Sequence, residues 1–158
     1  MRTPIILSGP GFPRGEVRED FAYLHDLAST IVNATETPMP EGMGGRDLRH
    51  PTRRDHVLTR YKNGQRAWRD DRWKVIWYPP IDRWQVFDLV NDPEETIDLA
   101  RDPANAGLVA RLRRALLDAR VAAGDDADLL VARPRDERFD HDAANAAREK
   151  GRHHWKLR

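Results

Sequence analysis

The 158-residue sequence contains no cysteine. That excludes disulfides, thiolate metal sites and cysteine nucleophiles, and it leaves the redox compartment open. No apolar run approaches the length of a membrane span, so no membrane partner is expected. The opening MRTPIILSGPGFPRG supplies one arginine and then only Ile5 to Leu7, too short for the core of a signal peptide. The chain therefore shows no route of export, and the cytoplasm is the default expectation. An excess of either charge is also lacking, since 27 basic residues meet 26 acidic ones. A global pull toward nucleic acid or an anionic membrane does not follow from such a balance. What is present is 39% hydrophobic and 34% charged. That is not the profile of a disordered chain, and the length allows burial of roughly 70% of the unfolded surface.

The chain opens on TPIILSGPG, which reads as a short strand over Pro4–Ser8 followed by a glycine-proline loop. An uninterrupted β-branched run suits a strand covered on both faces inside a larger sheet. In DFAYLHDLASTIVNA, Asp26 is placed to cap a helix whose Leu27, Ile31 and Val32 share a face. Residues 37–54 are rich in proline, glycine and charge and read as a connector. HVLTRY, GQRAWRD, RWKVIWY and RWQVFDL then form four strand signals separated by Asn63-Gly64, Asp70-Asp71 and PPID turns. Trp73, Val75 and Trp77 alternate onto one face, and Trp84 and Val86 onto one face of the next strand. The spacing predicts a four-stranded antiparallel meander.

Beyond the meander the period changes. Asp92, Pro93 and Glu95 offer a helix start, and Asp102-Pro103 repeats the device. Leu108, Leu112, Ala115, Leu116 and Ala119 form a helical stripe that Gly124 stops, with Arg111, Arg113, Arg114, Asp118 and Arg120 off it. The predicted helix packs its stripe on the meander. A charged tail follows, with Ala143–Ala147 as a weak helix signal.

Four of the five tryptophans, Trp68, Trp73, Trp77 and Trp84, fall in the meander beside Arg69, Arg72 and Arg83. Burying one indole is worth about 4–6 kcal/mol of apolar transfer as an upper bound, whereas an exposed arginine contact is worth about 1 kcal/mol or less. Magnitude therefore assigns most of these rings to the interior. An aromatic-basic platform for single-stranded nucleic acid is the alternative. Asp70, Asp71, Asp82 and Asp88 place negative charge in the same region and oppose it.

TPIILSGPGFPRG, YLHDLASTIV, PMPEGMGGRDL, QRAWRDDRWKVIWY and QVFDLVNDPEETIDLA occur in an order that resembles the C-terminal part of a type I, formylglycine-dependent sulfatase, from about Thr3 to Gly124. The resemblance implies an α+β fold: a four-stranded antiparallel meander packed by a C-terminal helix, preceded by a strand-loop-helix remnant of an alkaline-phosphatase-like α/β domain. It divides the chain into the end of the catalytic domain at 1–50, the C-terminal subdomain at 51–124 and a tail at 125–158. Ser29 stands where the family usually has proline, and Gly44 where it commonly has aspartate. The activity implied is sulfuric ester hydrolysis. The cofactors implied are a calcium-type divalent cation and a formylglycine made from a Cys or Ser in C/S-x-P-S-R. Neither Ser8 nor Ser29 lies in such a motif. The chain alone is thus expected to lack catalytic and metal-binding residues. Its expected partners are a missing catalytic half, or a second copy through apolar surface near Pro4–Leu7 and Ile31. A completed enzyme would take a sulfated small molecule or glycan.

Other chemistry finds little support. His25-Asp26 and Asp140-His141-Asp142 are adjacent pairs that do not face one point on a helix, His50 and His56 flank Pro51, and His153-His154 sits in the tail. There is no G-x-S-x-G elbow, and SGPGFPRG lacks the phosphate-loop lysine. The remaining candidate is the first hairpin, with His56, Arg60, Lys62 and Gln65, which the sulfatase resemblance implies as a substrate-cleft rim whose cations pair with an anionic ligand. As a non-catalytic module, the same hairpin would bind an anionic glycan or nucleic acid. The plainer reading is a solvated edge whose charges discourage edge-to-edge pairing.

Overall fold

The computed structural model describes residues 4–51, 53–125 and 129. The expected tail helix at Ala143–Ala147 and the histidines at 141, 153 and 154 lie outside the described residues.

Among the described residues, two α-helices and one sheet organise the fold: α1 (Leu24–Ala34), β1 (Val57–Tyr61), β2 (Gln65–Arg69), β3 (Trp73–Tyr78), β4 (Arg83–Asp88) and α2 (Ala106–Ala122). The strands pair antiparallel in chain order, β1-β2-β3-β4. The register places two cross-strand rows on one face, Leu58–Trp68–Val75–Val86 and Arg60–Arg66–Trp77–Trp84. Leu112, Leu116 and Ala119 of α2 join Trp68, Val75, Trp77 and Val86 in one buried cluster, with Trp73 and Trp84 half-buried against it. The meander and the helical stripe are therefore as the alternation and the 3.6-residue period require.

The connections differ from expectation in instructive ways. The left-handed residue of the first hairpin is Lys62, at φ 46°, not Asn63 or Gly64. With Tyr61 paired to Gln65 the loop holds three residues rather than two. Pro79–Ile81 forms a 3-10 turn closed by Asp82 at φ 46°. Asp92 starts no helix. Its carboxylate accepts the Thr96 and Ile97 amides, folding a loop in which Glu95 is left-handed at φ 58° and pairs with Lys74. Asp98 and Asp102 cap two 3-10 turns, Leu99–Arg101 and Pro103–Asn105, the second leading directly into α2. Asp98 also accepts the Val86 amide of β4 at 3.1 Å.

Helix α1 departs most. Its cap is Tyr23, and Asp26 is the third helical residue reaching back to the Tyr23 amide at 2.7 Å. The buried residues of α1 are Asp26, Ser29 and Thr30, while Leu24 is 80% and Ile31 64% exposed. The helix turns its polar side to its own chain because that side is wanted by the connector. Thr30 Oγ1 accepts the Leu48 amide, Asp26 accepts the Arg46 amide, and Gly45 lies against His25 and Ser29. Residues 4–8 form no strand among the described residues, and Ile6 is 91% exposed. A strand exists only where a neighbour satisfies its backbone groups, and no described segment pairs with this run.

Candidate functional site

The four hairpin residues occupy different places. His56 precedes β1 and stacks on Trp68 at 5.8 Å between ring centres. Lys62 lies in the turn at the far end of that strand, about 20 Å away at the rise of an extended chain. Arg60 belongs to the row facing α2, whereas Gln65 alternates onto the opposite face. Arg60 and Lys62 are both exposed, and among the described residues neither has a carboxylate partner. Lys62 rests its ammonium over the Tyr61 ring at 5.8 Å. The fold brings Arg60 and Lys62 to one end of the hairpin and separates His56 from them.

The hairpin turn is held from below by a group that the sequence reading did not single out. Arg66, 2% exposed, donates through Nη1 to the carbonyls of Lys62 at 2.6 Å and Gln65 at 2.9 Å. Its Nε and Nη2 engage both carboxylate oxygens of Asp125. Arg120 Nε donates to the same carboxylate at 3.1 Å, and its guanidinium lies 5.1 Å from the centre of the Trp77 ring. Arg120, expected on the solvent side of the helix, is buried for this reason. Hydrogen bonds from Arg66, opposed by burial and aided by Arg120, hold the Asp125 carboxyl below the usual carboxylate range.

The tryptophans continue this layer. Trp77 and Trp84 are cross-strand partners stacked at 5.1 Å, and both indole N–H groups donate to one oxygen of Asp82. Arg113 covers the outer face of Trp84 at 4.4 Å. The rings are thus occupied on both sides, which leaves no open platform on which a base or sugar would stack there.

A second polar junction ties α1 to the sheet. The Arg54 fork meets both oxygens of Asp26 at 2.8 and 2.6 Å and donates to the Phe21 carbonyl. Burial pushes the Asp26 carboxyl up, but Arg54 and the amides of Arg46 and Tyr23 outweigh it and the net displacement is downward. On the other side, Arg72 and Asn91 lower Asp88 to about 2 against some burial. Arg53, Arg72 and Arg111 line a shallow depression of about 340 Å³ together with Asp55, Asp70 and Asp71, so opposite charges balance there.

With the geometry established, comparison with known proteins gives its origin. The sequence profile of N-sulphoglucosamine sulphohydrolase, C-terminal, matches residues 1–122. The chain belongs to this sulfatase C-terminal family. A curated relative, an uncharacterised protein of Haemophilus influenzae, is 29% identical over 97 residues, 54% of this chain and 49% of its own. The chain thus spans about half the length of that relative. A solved 2-O GAG sulfatase superposes with a TM-score of 0.51 at 24% identity, covering 64% of this chain and 25% of the other. A protein solved in complex with its substrate D-glucosamine-2-N,6-O-disulfate gives 0.55 at 17% identity, covering 66% and 25%. At such identities the likeness is one of fold.

The cation and formylglycine associated with sulfatases do not fit the described residues. Cysteine is absent, and Ser29 sits within α1 with its hydroxyl buried against Gly45. Among the described residues no three His, Asp or Glu side chains gather as a metal site requires. Asp26, Asp88 and Asp125 are each committed to arginine. No described helix is long and apolar enough to cross a membrane.

Proposed function

We propose that this chain is the C-terminal part of a sulfatase that hydrolyses a sulfated amino sugar or glycan, and that the nucleophile and cation belong to residues outside it. The observation that carries the reading is the family match over residues 1–122. The substrate class follows the family's description and the sulfated glucosamine bound by a structural relative. In this reading the chain divides near residue 50. The exposed apolar residues Ile6, Val17, Leu24 and Ile31 meet the α/β catalytic part. Arg60 and Lys62, with Gln65 beside them and His56 at the other end of β1, contribute to the rim facing an anionic substrate. The isolated chain catalyses no turnover. The test is an assay of the purified chain with 4-nitrophenyl sulfate and glucosamine 6-sulfate, with and without calcium. Absence of hydrolysis is expected, and calcium-dependent sulfate release would overturn the reading.

One observation favours a second reading, a non-catalytic module for an anionic glycan: Arg60 and Lys62 stand exposed and without a carboxylate among the described residues. It requires saturable binding of a heparin-type oligosaccharide that weakens steeply with salt. Lack of binding at low ionic strength removes it.

A further inference from the structure

We propose that Arg66 and Arg120 form an oxyanion site which Asp125 fills as an internal surrogate ligand, and that a sulfate group, free or carried on a sugar, takes the place of that carboxylate when it is withdrawn. The fork of Arg66 is set before any ligand arrives, because the Lys62 and Gln65 carbonyls hold its third nitrogen. Nε and Nη2 then present two parallel donors, the arrangement that matches a carboxylate or sulfate edge. Arg120 supplies a further donor to the same oxygen that Nε engages, and the Trp77 ring lies beside it as an apolar wall.

The occupant is placed against its own local preference. Asp125 follows α2, whose C-terminal end carries negative partial charge and disfavours a carboxylate. The two guanidiniums outweigh that repulsion, so the position is defined by their demand for an anion. Asp125 enters through Gly124, left-handed at φ 66°, and is anchored by its amide to the Arg120 carbonyl at 2.9 Å. Withdrawal of the side chain therefore breaks the contacts of its carboxylate with Arg66 and Arg120, between the left-handed Gly124 and Leu129, which is buried in the core cluster. The site is separate from the hairpin rim and stands whether or not the chain serves a catalytic part.

Two variants test it on the full chain. Asp125→Ala removes the surrogate, and Asp125→Asn keeps its shape without its charge. Both are melted in sodium sulfate and in glucosamine 6-sulfate, against sodium chloride at equal ionic strength, with the wild type as control for the general stabilisation by sulfate. The expected result is a saturable rise in Tm of at least about 4 °C beyond the wild-type rise in Asp125→Ala, smaller in Asp125→Asn. The Arg66 Nε–H resonance shifts in parallel. A response to both ligands assigns the site to the oxyanion alone, and a response to the sugar alone assigns it to a saccharide-borne sulfate. If Asp125→Ala is unfolded in chloride, recovery of its circular dichroism in sulfate counts equally in favour. No excess response in either variant overturns the proposal and leaves a structural ion pair. So does a response that survives Arg66→Met in the Asp125→Ala background.

Discussion

The phenol of Tyr23 satisfies both backbone groups of Leu58, accepting its N–H at 2.6 Å and donating to its carbonyl at 3.1 Å. The ring also receives the Arg54 guanidinium at 4.9 Å, so one side chain joins the start of α1, the connector and the first strand. Tyr23→Phe keeps the ring and removes both hydrogen bonds. A loss of about 1–2 kcal/mol in urea unfolding is expected, with faster amide exchange at Leu58. Unchanged stability and exchange would show that α1 is not fastened to the sheet through this contact.

Trp77 is 4% exposed and stands between Trp84 and Arg120, over the buried leucines of α2. Trp77→Ala is expected to cost about 3–5 kcal/mol, and Trp84→Ala, at a half-buried position, clearly less. Chemical denaturation followed by circular dichroism ranks the two. The reverse order would contradict the packing described.

Gly45 and Gly44 are neighbours with opposite tolerance. A Cβ at Gly45 would lie 2.2 Å from Ser29 Oγ and 2.9 Å from the His25 carbonyl, whereas nothing lies within 4 Å at Gly44. Gly45→Ala should destabilise by about 1–3 kcal/mol. Gly44→Asp, the residue common in the family, should be nearly neutral. Adding Ser29→Ala to Gly45→Ala recovers only part of the loss, because the backbone carbonyl remains. Thermal melts of the three variants decide it.

Acid should dissolve the junctions in a defined window. Asp88 is lowered to about 2, so its folded form favours the charged carboxylate. Its stabilising contribution is whole above the ordinary carboxylate range near 4 and is lost as pH falls through about 2. Asp26 and Asp125 are displaced in the same direction and add to the loss. Asp88→Asn should be less stable at pH 7 and show a shallower decline below pH 4. Urea midpoints across the acid range measure both, and parallel curves would refute the assignment.

Strand alternation from Val57 to Asp88 and the Leu108–Ala119 stripe were legible because each element buries one face, and burial imposes a period. The family was legible from the order of five short segments. What escaped was long-range pairing. Arg66 and Asp125 stand 59 residues apart, and no local pattern joins them. Asp26 looked like a cap, since a carboxylate before an apolar run fits the first or the third position equally well. The apolar face read for α1, Leu27, Ile31 and Val32, is a true amphipathic signal, but among the described residues it is covered only in part, with Leu27 and Val32 half-buried and Ile31 exposed. Of the proposed rim residues, Arg60 and Lys62 lie at the turn end of β1 and His56 precedes its other end, a separation set by the length of the strand.

The two outer strands of the sheet share one further trait. Tyr23 sits on the outward backbone groups of Leu58 in β1, and Asp98 takes the Val86 amide in β4. Each outer strand has one outward backbone position taken by a side chain from beyond the sheet. An incoming peptide would have to evict a plug before it could zip on. The tryptophan-rich ribbon should therefore resist fibril seeding and strand exchange.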